Sequence, residues 1–249
     1  MEKVSDILFQ IKTADESLLP ALLDKYEGDD RESVKKAVNS ARKRLLKLEE
    51  EDLRLEGMMK YERKYPGLFI CGIDEVGRGP LAGPVMAGAV ILPEGEKIRY
   101  VNDSKKLSEK KREELCALIK EKAVAWNVSA VSQERIDEVN ILNATKEAMI
   151  TAVNSLVTKP DVLLIDALTL PIDIKQEGIV KGDMNSISIA AASIVAKVTR
   201  DDYMKKMALK YPEYGFDRNM GYGTAEHIAA IKKYGPCPIH RKSFIGNFI

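Results

Sequence analysis

The stretch CGIDEVGRGPLAGPV, residues 71–85, decides the fold of this chain. It joins an apolar run at residues 68–73 to a second at residues 85–92, which predicts two β-strands connected by a glycine-rich turn. Two adjacent carboxylates, Asp74 and Glu75, stand where the first strand ends. Glycine-rich turns after strands often bind phosphate, but these acids repel a phosphate unless a cation lies between them.

The known nucleotide-binding loops do not match this turn. A dinucleotide-binding loop has the pattern G-x-G-x-x-G and opens a helix. Here the last glycine, Gly83, comes one position late and leads into a strand. The P-loop pattern G-x-x-x-x-G-K-[ST] occurs nowhere in the chain. The turn is therefore a poor match to either class of nucleotide site.

The organisation of the chain changes near residue 65. Apolar residues at three-, four- and seven-residue steps predict that residues 1–64 are helical, and Pro66 and Gly67 end this region. We therefore divide the chain into a helical extension at 1–65 and a second domain at 66–249. After its first two strands, the second domain shows this order: a helix opened by Ser108, a strand at 124–132, a helix at 133–156, strands at 161–168 and 174–180, and a long helix at 186–210. This order predicts a mixed α/β domain with a helical C-terminal part.

Composition limits the classes of function. The 249 residues include three cysteines without a C-x-x-C pair and only two histidines, so neither a disulfide framework nor a zinc site is indicated. No run of about eighteen apolar residues predicts a membrane helix, and residues 1–12 lack the apolar core of a signal peptide. We expect a cytoplasmic protein that does not bind membranes. Residues 196–249 hold ten Lys or Arg against five acids, which suits either a phosphate backbone or a solvated helix face.

Two further acids stand where they can join Asp74 and Glu75. Asp166 ends the apolar run VLLI, and neighbouring parallel strands bring their carboxyl ends to one edge of a sheet. Asp183 precedes the long helix, where it is either a fourth site residue or an ordinary helix cap. Crowded carboxylates repel one another unless divalent cations neutralise them, and oxygen ligands favour Mg²⁺ or Mn²⁺. Two such ions orient or activate water at a phosphodiester without a histidine base, so a chain of this composition can be a nuclease.

With these residues in view, the chain resembles bacterial ribonuclease HII, the type 2 ribonuclease H. The resemblance covers about residues 68–246 and rests on six segments in the family's order: GIDEVGRGPLAGPV, NDSKKLSEKKREEL, LLIDAL, KGDMNSISIAAASIVAKVTRD, NMGYGTAEH and PIHRKSF. It implies a ribonuclease H-like mixed sheet flanked by helices. It also implies an endonuclease that cuts RNA in RNA/DNA hybrids and incises duplex DNA 5′ of an embedded ribonucleotide, leaving 3′-hydroxyl and 5′-phosphate ends.

The same resemblance implies roles for individual residues. The catalytic and metal-binding acids, which would hold two Mg²⁺ or Mn²⁺ ions, fall on Asp74, Glu75, Asp166 and Asp183. The turn Gly77, Arg78 and Gly79 would read the 2′-hydroxyl of the ribonucleotide, partly through its backbone. Tyr222 would stack on the sugar that follows the ribonucleotide, where a 2′-hydroxyl fits badly.

Other substrate contacts are expected on the basic side chains. Phosphates are expected to contact Lys105, Lys197 and Arg241. Family members often have lysine at the positions of Asn185 and Met220, so this chain offers less positive charge beside the site. The serines of the alanine-rich helix, Ser188 and Ser193, are assigned to close packing against the sheet.

Two rival functions and the role of the extension stay open at this stage. One rival is another nuclease of the same fold that acts on DNA alone, such as a junction resolvase, and the other is a non-catalytic nucleic-acid-binding module. Residues 1–60 hold fourteen acids and twelve Lys or Arg, which gives a net charge of −2. The extension can be a duplex clamp, a protein-docking module or a stabilising appendage, and we favour help with substrate binding. We expect a monomer.

Overall fold

The computed structural model describes residues 2–247 and divides into two compact units, Met1–Glu56 and Gly57–Ile249. No helix within residues 2–247 has both the length and the apolar composition needed to span a bilayer. Each unit has its own apolar core.

The N-terminal unit is all helical, as the apolar periodicity predicts. It contains α1 at Val4–Thr13, α2 at Leu19–Lys25 and most of α3 at Glu32–Met58. Buried apolar side chains from all three helices form its core: Ile7, Ile11, Leu19, Leu23, Tyr26, Val34, Val38 and Ala41. The all-helical extension is therefore confirmed.

The second unit begins before the residue at which the sequence pattern changes. Our sequence boundary lies at residue 65, whereas the structural division lies between Glu56 and Gly57. The difference arises because residues 57–66 pack on the second unit. Tyr61 and Tyr65 contact an apolar cluster of Val162, Leu164, Ile179 and Ile189. Pro66 and Gly67 indicate where the backbone turns. They do not indicate whether the segment before them packs on the first or the second apolar core.

The second unit is built on a five-stranded mixed sheet, which confirms the predicted fold class. Its strands are β1 at Ile70–Val76, β2 at Val85–Ile91, β3 at Ala125–Val131, β4 at Val162–Asp166 and β5 at Lys175–Ile179. Their order is β3-β2-β1-β4-β5. β1 pairs antiparallel with β2, and β2 with β3, whereas β1 and β4, and β4 and β5, pair parallel.

Helices cover both faces of this sheet. They are α4 at Glu109–Lys122, α5 at Gln133–Val139, α6 at Ile141–Asn154, α7 at Gly182–Asn185, α8 at Ile187–Lys210, α9 at Phe216–Asn219, α10 at Ala225–Tyr234 and α11 at Lys242–Ile245. The single helix predicted at 133–156 is wrong, because Asn140 has a φ of 67° and separates α5 from α6. The Asn140 side chain accepts hydrogen bonds from the backbone N–H groups of Leu142 and Asn143, so it caps α6.

The α8 helix lies directly on β1 and β2. A Cβ atom at Gly72 would stand 2.0 Å from the carbonyl carbon of Ser188, and one at Gly88 would stand 2.5 Å from the carbonyl oxygen of Ala192. The facing part of α8 is almost entirely alanine and serine, because larger residues would hold the helix away. This close contact places the middle of α8 beside the ends of the central strands.

We predict that Gly72→Ala destabilises the protein strongly. The added methyl group would overlap backbone atoms of α8, and overpacking of this kind costs about 1–3 kcal/mol in free energy of unfolding. Urea unfolding monitored by circular dichroism measures the change. Gly57→Ala is the matched control, since a Cβ there meets no atom within 4 Å and alanine favours a helix. Equal stability of both variants would contradict the close packing described for Gly72.

Candidate active site

Two carboxylates lie side by side toward the carboxyl ends of neighbouring parallel strands. Ile73 of β1 pairs with Ile165 of β4, and the next residues along the two strands are Asp74 and Asp166. Neighbouring strands lie about 4.8 Å apart, and residues in register point to the same face of the sheet. The topology therefore brings these two predicted site residues together, as their positions after apolar runs suggest.

Asp74 is the most buried of the four predicted acids. Its side chain accepts a hydrogen bond of 2.8 Å from the Glu75 backbone N–H and another from Ser193. Ser193 Oγ also lies 3.0 Å from Ser104 Oγ. Burial raises the pKa of Asp74 well above its usual range, and the charges of Glu75 and Asp166 raise it further. Ser193 therefore does more than pack against the sheet, because its hydroxyl orients this carboxylate.

Glu75 stands beside Asp74 and has two basic neighbours. Burial raises its pKa, and the charge of Asp166 adds to the effect. Arg78 and Lys105 act in the opposite direction, and Arg78 Nη1 lies 3.5 Å from Glu75 Oε1. The Arg78 side chain is thus drawn toward the acids at the entrance of the turn.

Asp183 lies in the short helix α7 and is not the cap of α8. That cap is Ser186, whose hydroxyl accepts a hydrogen bond from the Ile189 backbone N–H. The residue before Asp183, Gly182, donates its N–H to Asp166 Oδ1 at 2.8 Å. Burial raises the pKa of Asp183, and the charges of Asp103 and Asp166 raise it further. Asp183 is therefore in the electrostatic neighbourhood of Asp166.

The chemistry of these four side chains fits a divalent cation. All are carboxylates, the hard oxygen ligands that Mg²⁺ and Mn²⁺ prefer. Burial and mutual repulsion disfavour the charged forms of Asp74, Glu75 and Asp183, and a divalent cation would relieve this repulsion. Within residues 2–247, no three His, Cys, Asp or Glu side chains already stand as a closed ligand set. The acids therefore have the ligand atoms and the negative charge that suit a divalent cation, but their side chains do not already enclose a metal position.

An open cleft of about 670 Å³ adjoins Asp74 and Glu75. Its lining also includes Gly77, Arg78, Gly79, Ser104, Lys105, Arg112, Ser193, Lys197 and Tyr222. Asp166 and Asp183 are outside this lining. The Lys197 ammonium group forms an ion pair of 2.7 Å with Asp201, so its charge is already partly engaged. Lys105 is exposed at the cleft.

The glycine turn and the aromatic residue lie next to each other in the lining of this cleft. Gly77 has a φ of 89°, a conformation that favours glycine, and a Cβ there would stand 2.2 Å from Arg200 Nε. A Cβ at Gly79 would stand 3.8 Å from Tyr222 Cε1. The Tyr222 side chain is half-exposed, so its ring is available beside the turn.

Arg241 does not have the role that we predicted. It is fully buried, and its guanidinium group donates hydrogen bonds to the carbonyl oxygens of Gly77 at 2.5 Å, Arg78 at 2.9 Å and Gly83 at 2.9 Å. It is thus unavailable to a phosphate, and the predicted phosphate contact is wrong. Its position after His240 in a basic segment resembles a solvated tail, and no sequence signal reveals that this segment folds under the turn.

Sequence reasoning missed a second buried arginine, Arg200. Its guanidinium group donates to the carbonyl oxygens of Ala82, Pro84 and Met220. A signal for it exists, because Arg200 follows Ser193 and Ala196 on the buried face of α8 and precedes Met204 there. An arginine at a buried helical position indicates a specific set of acceptors.

The two histidines form a buried chain of hydrogen bonds that ends at the tyrosine loop. The Cys237 backbone N–H donates to His240 Nδ1 at 2.9 Å, the two Nε2 atoms lie 3.0 Å apart, and His227 Nδ1 lies 2.9 Å from the Tyr222 carbonyl oxygen. A backbone N–H only donates and a carbonyl only accepts. His240 Nδ1 also lies 3.2 Å from the Cys237 carbonyl oxygen, but its shorter contact is with the Cys237 N–H, which makes it an acceptor. This pattern places the protons on His240 Nε2 and His227 Nδ1 and leaves both rings neutral.

Comparisons with known proteins agree on one family. A family model described as ribonuclease HII matches residues 71–247, and one described as the ribonuclease HII N-terminal domain matches residues 3–66. The ribonuclease HII of Lachnoclostridium phytofermentans is 53% identical over 247 residues, which are 98% of this chain and 97% of that protein. That of Clostridioides difficile is 50% identical in an alignment of 254 positions, which covers 100% of this chain and 99% of that protein. Ribonuclease H2 from Pyrococcus horikoshii is similar in structure, with a TM-score of 0.59 and 28% identity over 72% of this chain and 98% of that one.

We predict that Asp74→Asn stabilises the metal-free protein at neutral pH. The folded-state pKa of Asp74 is raised, so its charged form destabilises the fold once the pH passes the usual aspartate value. The neutral asparagine avoids this penalty, so the variant should have the higher free energy of unfolding. Urea unfolding in EDTA at pH 7 and at pH 3.5 measures it. The difference in free energy of unfolding between the variant and the wild type should be smaller at pH 3.5 than at pH 7. A variant that is less stable than the wild type at pH 7 would contradict the proposed effect of the Asp74 charge.

We also predict that His240 stays neutral at pH 6 and that the two histidines keep opposite tautomers. Burial lowers the pKa of each ring, and the neighbouring His227 helps to lower that of His240 to about 4. Because the rings titrate near 6.5 when unfolded, their contribution to stability is complete above that pH and falls toward pH 4. Nitrogen-15 NMR of the imidazole groups measures this, since the chain has only two histidines. A doubly protonated His240 at pH 6, or two rings with the same tautomer, would contradict the chain of hydrogen bonds.

Proposed function

This chain belongs to the ribonuclease HII family of hydrolytic nucleases, and we propose that it cuts the RNA strand of RNA/DNA hybrids and incises duplex DNA 5′ of an embedded ribonucleotide. One observation carries the proposal: the turn at residues 77–79 and the Tyr222 ring line the same cleft as Asp74 and Glu75. The groups that would read the sugar therefore lie at the same surface as two of the acids that would hold the metal ions.

The backbone of the turn supports direct reading of the 2′-hydroxyl group. The carbonyl groups of Gly77 and Arg78 point toward the guanidinium group of Arg241. In a trans peptide the N–H points away from the carbonyl, so the N–H groups of Arg78 and Gly79 point away from Arg241. We propose that these N–H groups donate to the 2′-oxygen of the ribonucleotide. A deoxyribose at the same position offers no such acceptor.

The four acids would hold the metal ions. Asp74, Glu75, Asp166 and Asp183 would bind two Mg²⁺ or Mn²⁺ ions, for which their chemistry and charge are suited. When bound, two such ions activate water on one side of a phosphodiester and stabilise the leaving oxygen on the other. Ser193 and the Glu75 backbone N–H keep the Asp74 carboxylate in a fixed orientation.

No histidine of this chain is placed to act as the general base. Both rings are buried and bonded to each other, and the chain they form ends on backbone groups. The 2′-oxygen is held as an acceptor by the turn and is not the nucleophile in this proposal. Water attack on the phosphorus then leaves a 3′-hydroxyl and a 5′-phosphate.

The two rival functions are less well supported. A nuclease that acts on DNA alone needs the acids but has no use for a turn that approaches the 2′-position together with an adjacent aromatic ring. A non-catalytic binding module would keep Asp74 buried and repelled by its neighbours without benefit, since these charges also repel phosphate. The ribonucleotide-directed enzyme accounts for both features.

We also propose an oligomeric state, a location and a role for the N-terminal unit. A monomer in the cytoplasm, where bacterial DNA lies, would meet both kinds of substrate. The N-terminal unit would add to duplex binding through the basic segment at residues 41–47 of α3. A truncated protein that tests this role should begin at Gly57, because Tyr61 and Tyr65 pack on the catalytic unit.

We predict incision of a DNA duplex that contains one ribonucleotide, on its 5′ side and only with Mg²⁺ or Mn²⁺ present. Tyr222→Ala should weaken this activity more than the cutting of long RNA/DNA hybrids, in which every sugar of the RNA strand carries the hydroxyl. Loss of one stacking contact is worth about 1–3 kcal/mol, which corresponds to about 5- to 150-fold. Gel mapping of end-labelled duplexes gives the cut position and both rates.

The controls separate the parts of this prediction. EDTA and Asp74→Asn should each abolish cutting of both substrates while circular dichroism shows an intact fold. An all-DNA duplex of the same sequence should stay uncut. Equal cutting of that duplex, full activity in EDTA or a 2′,3′-cyclic phosphate product would each contradict the proposed function.

A further inference from the structure

Two segments form the sugar-reading surface of the cleft, and they come from distant parts of the chain. The first, which we call the glycine segment, is residues 77–84, and the second, the tyrosine segment, is residues 219–224. Arg200 donates hydrogen bonds to both. Its Nη2 and Nε atoms bind the carbonyl oxygens of Ala82 at 3.1 Å and Pro84 at 3.0 Å, and its Nη1 binds that of Met220 at 3.0 Å.

The two segments also touch directly, so the distance between them is closely defined. The Leu81 backbone N–H donates to the Gly221 carbonyl oxygen at 2.8 Å. Gly221 has a φ of 85°, and a Cβ there would stand 2.5 Å from the carbonyl oxygen of Ala82. Tyr222 is the next residue, so any change in this contact moves the ring relative to the turn.

The other buried arginine holds only one of the two segments. All three side-chain hydrogen bonds of Arg241 go to the glycine segment, at Gly77, Arg78 and Gly83. Arg241 and Arg200 therefore make equal numbers of bonds to carbonyl groups in the same buried region but differ in what they connect. They form a natural pair for comparison.

The burial of Arg200 indicates a specific role. Its side chain is fully buried, and across residues 2–247 it forms no ion pair with a carboxylate. A buried charge without a counter-ion is costly unless its donors are satisfied, and here each nitrogen of the guanidinium group binds a carbonyl of one of the two segments. An apolar side chain would fill the same space without connecting them.

We propose that Arg200 is a positioning residue that sets the spacing between the 2′-hydroxyl reader at residues 77–79 and the ring of Tyr222. That spacing selects a ribonucleotide followed by a deoxyribonucleotide, so Arg200 determines the preference for single embedded ribonucleotides over long hybrids. The inference rests on the proposed function, since it assigns a cause to the substrate preference of that same site.

The experiment compares Arg200→Lys with Arg241→Lys on two substrates, a duplex with one ribonucleotide and a long RNA/DNA hybrid. Lysine keeps the charge but cannot bridge several carbonyls in a fixed plane. For Arg200→Lys we expect kcat/KM on the single ribonucleotide to fall about tenfold relative to the hybrid, the scale of one lost charged hydrogen bond. For Arg241→Lys we expect both activities to fall by similar factors, because both substrates need the 2′-hydroxyl reader.

Gly221→Ala keeps the test decisive if Arg200→Lys folds poorly, and a double variant tests whether Arg200 acts through the ring of Tyr222. Gly221→Ala leaves Arg200 intact but forces the two segments apart, so it should lower the same ratio. Arg200→Lys added to Tyr222→Ala should leave the ratio of that variant unchanged, because the ring whose position it controls is gone. Arg135→Lys, in an exposed pair with Glu138 and Glu147, controls for loss of an arginine outside the cleft and should leave both activities unchanged.

The outcomes separate this inference from the proposed function. Equal losses on both substrates for Arg200→Lys and Gly221→Ala, or no loss, would overturn the role of Arg200. So would a further fall in the ratio when Arg200→Lys is added to Tyr222→Ala. A wild-type protein that fails to incise at a single ribonucleotide would instead overturn the proposed function.

Discussion

The close contact of α8 with the central strands is the constraint on which the rest of the structure depends. Glycine at positions 72 and 88 lets the helix backbone approach the sheet, and Ser193 then reaches the carboxylate of Asp74. About one turn and two turns further along the same helix, Lys197 lines the cleft and Arg200 binds the loops that border it. A single rigid helix thus relates the acids to the surface that would read the sugar.

The polar groups buried around this helix lower the stability of the protein. They are located around the site of the proposed chemistry. Asp74 is buried beside other acids, which disfavours its charged form. Arg200 and Arg241 are fully buried on carbonyl oxygens, and the histidine pair is kept neutral beneath the tyrosine segment. Fully satisfied polar networks of this kind fix one conformation of the loops. The site is therefore organised before substrate binds, apart from the acids, which match a divalent cation but do not yet enclose one.

Most of the fold can be predicted from the sequence, because the spacing of apolar residues indicates the helices and strands and proline and glycine indicate the turns. The apolar runs before Asp74 and Asp166 give the two parallel strands, and their shared edge follows from topology. The helix break at Asn140 escapes prediction, because a left-handed asparagine that caps the next helix looks like any polar helical residue. Arg241 and Ser193 were misassigned for a related reason: whether a polar side chain faces solvent, phosphate or a buried carbonyl depends on contacts distant in sequence. The sequence nominates the acids through their positions after apolar runs, but it does not reveal the buried polar side chains that hold the surrounding loops in place.

We propose above all that Asp74 and Glu75 of β1, Asp166 of β4 and Asp183 of α7 form a site for divalent cations beside a cleft that reads the ribonucleotide. Anomalous X-ray scattering from crystals grown with Mn²⁺ tests it most directly, because the metal itself is located without reference to activity. The account predicts two manganese peaks held by Asp74, Glu75, Asp166 and Asp183. Manganese bound only at other residues, or no peak between these acids at saturating Mn²⁺, would contradict it.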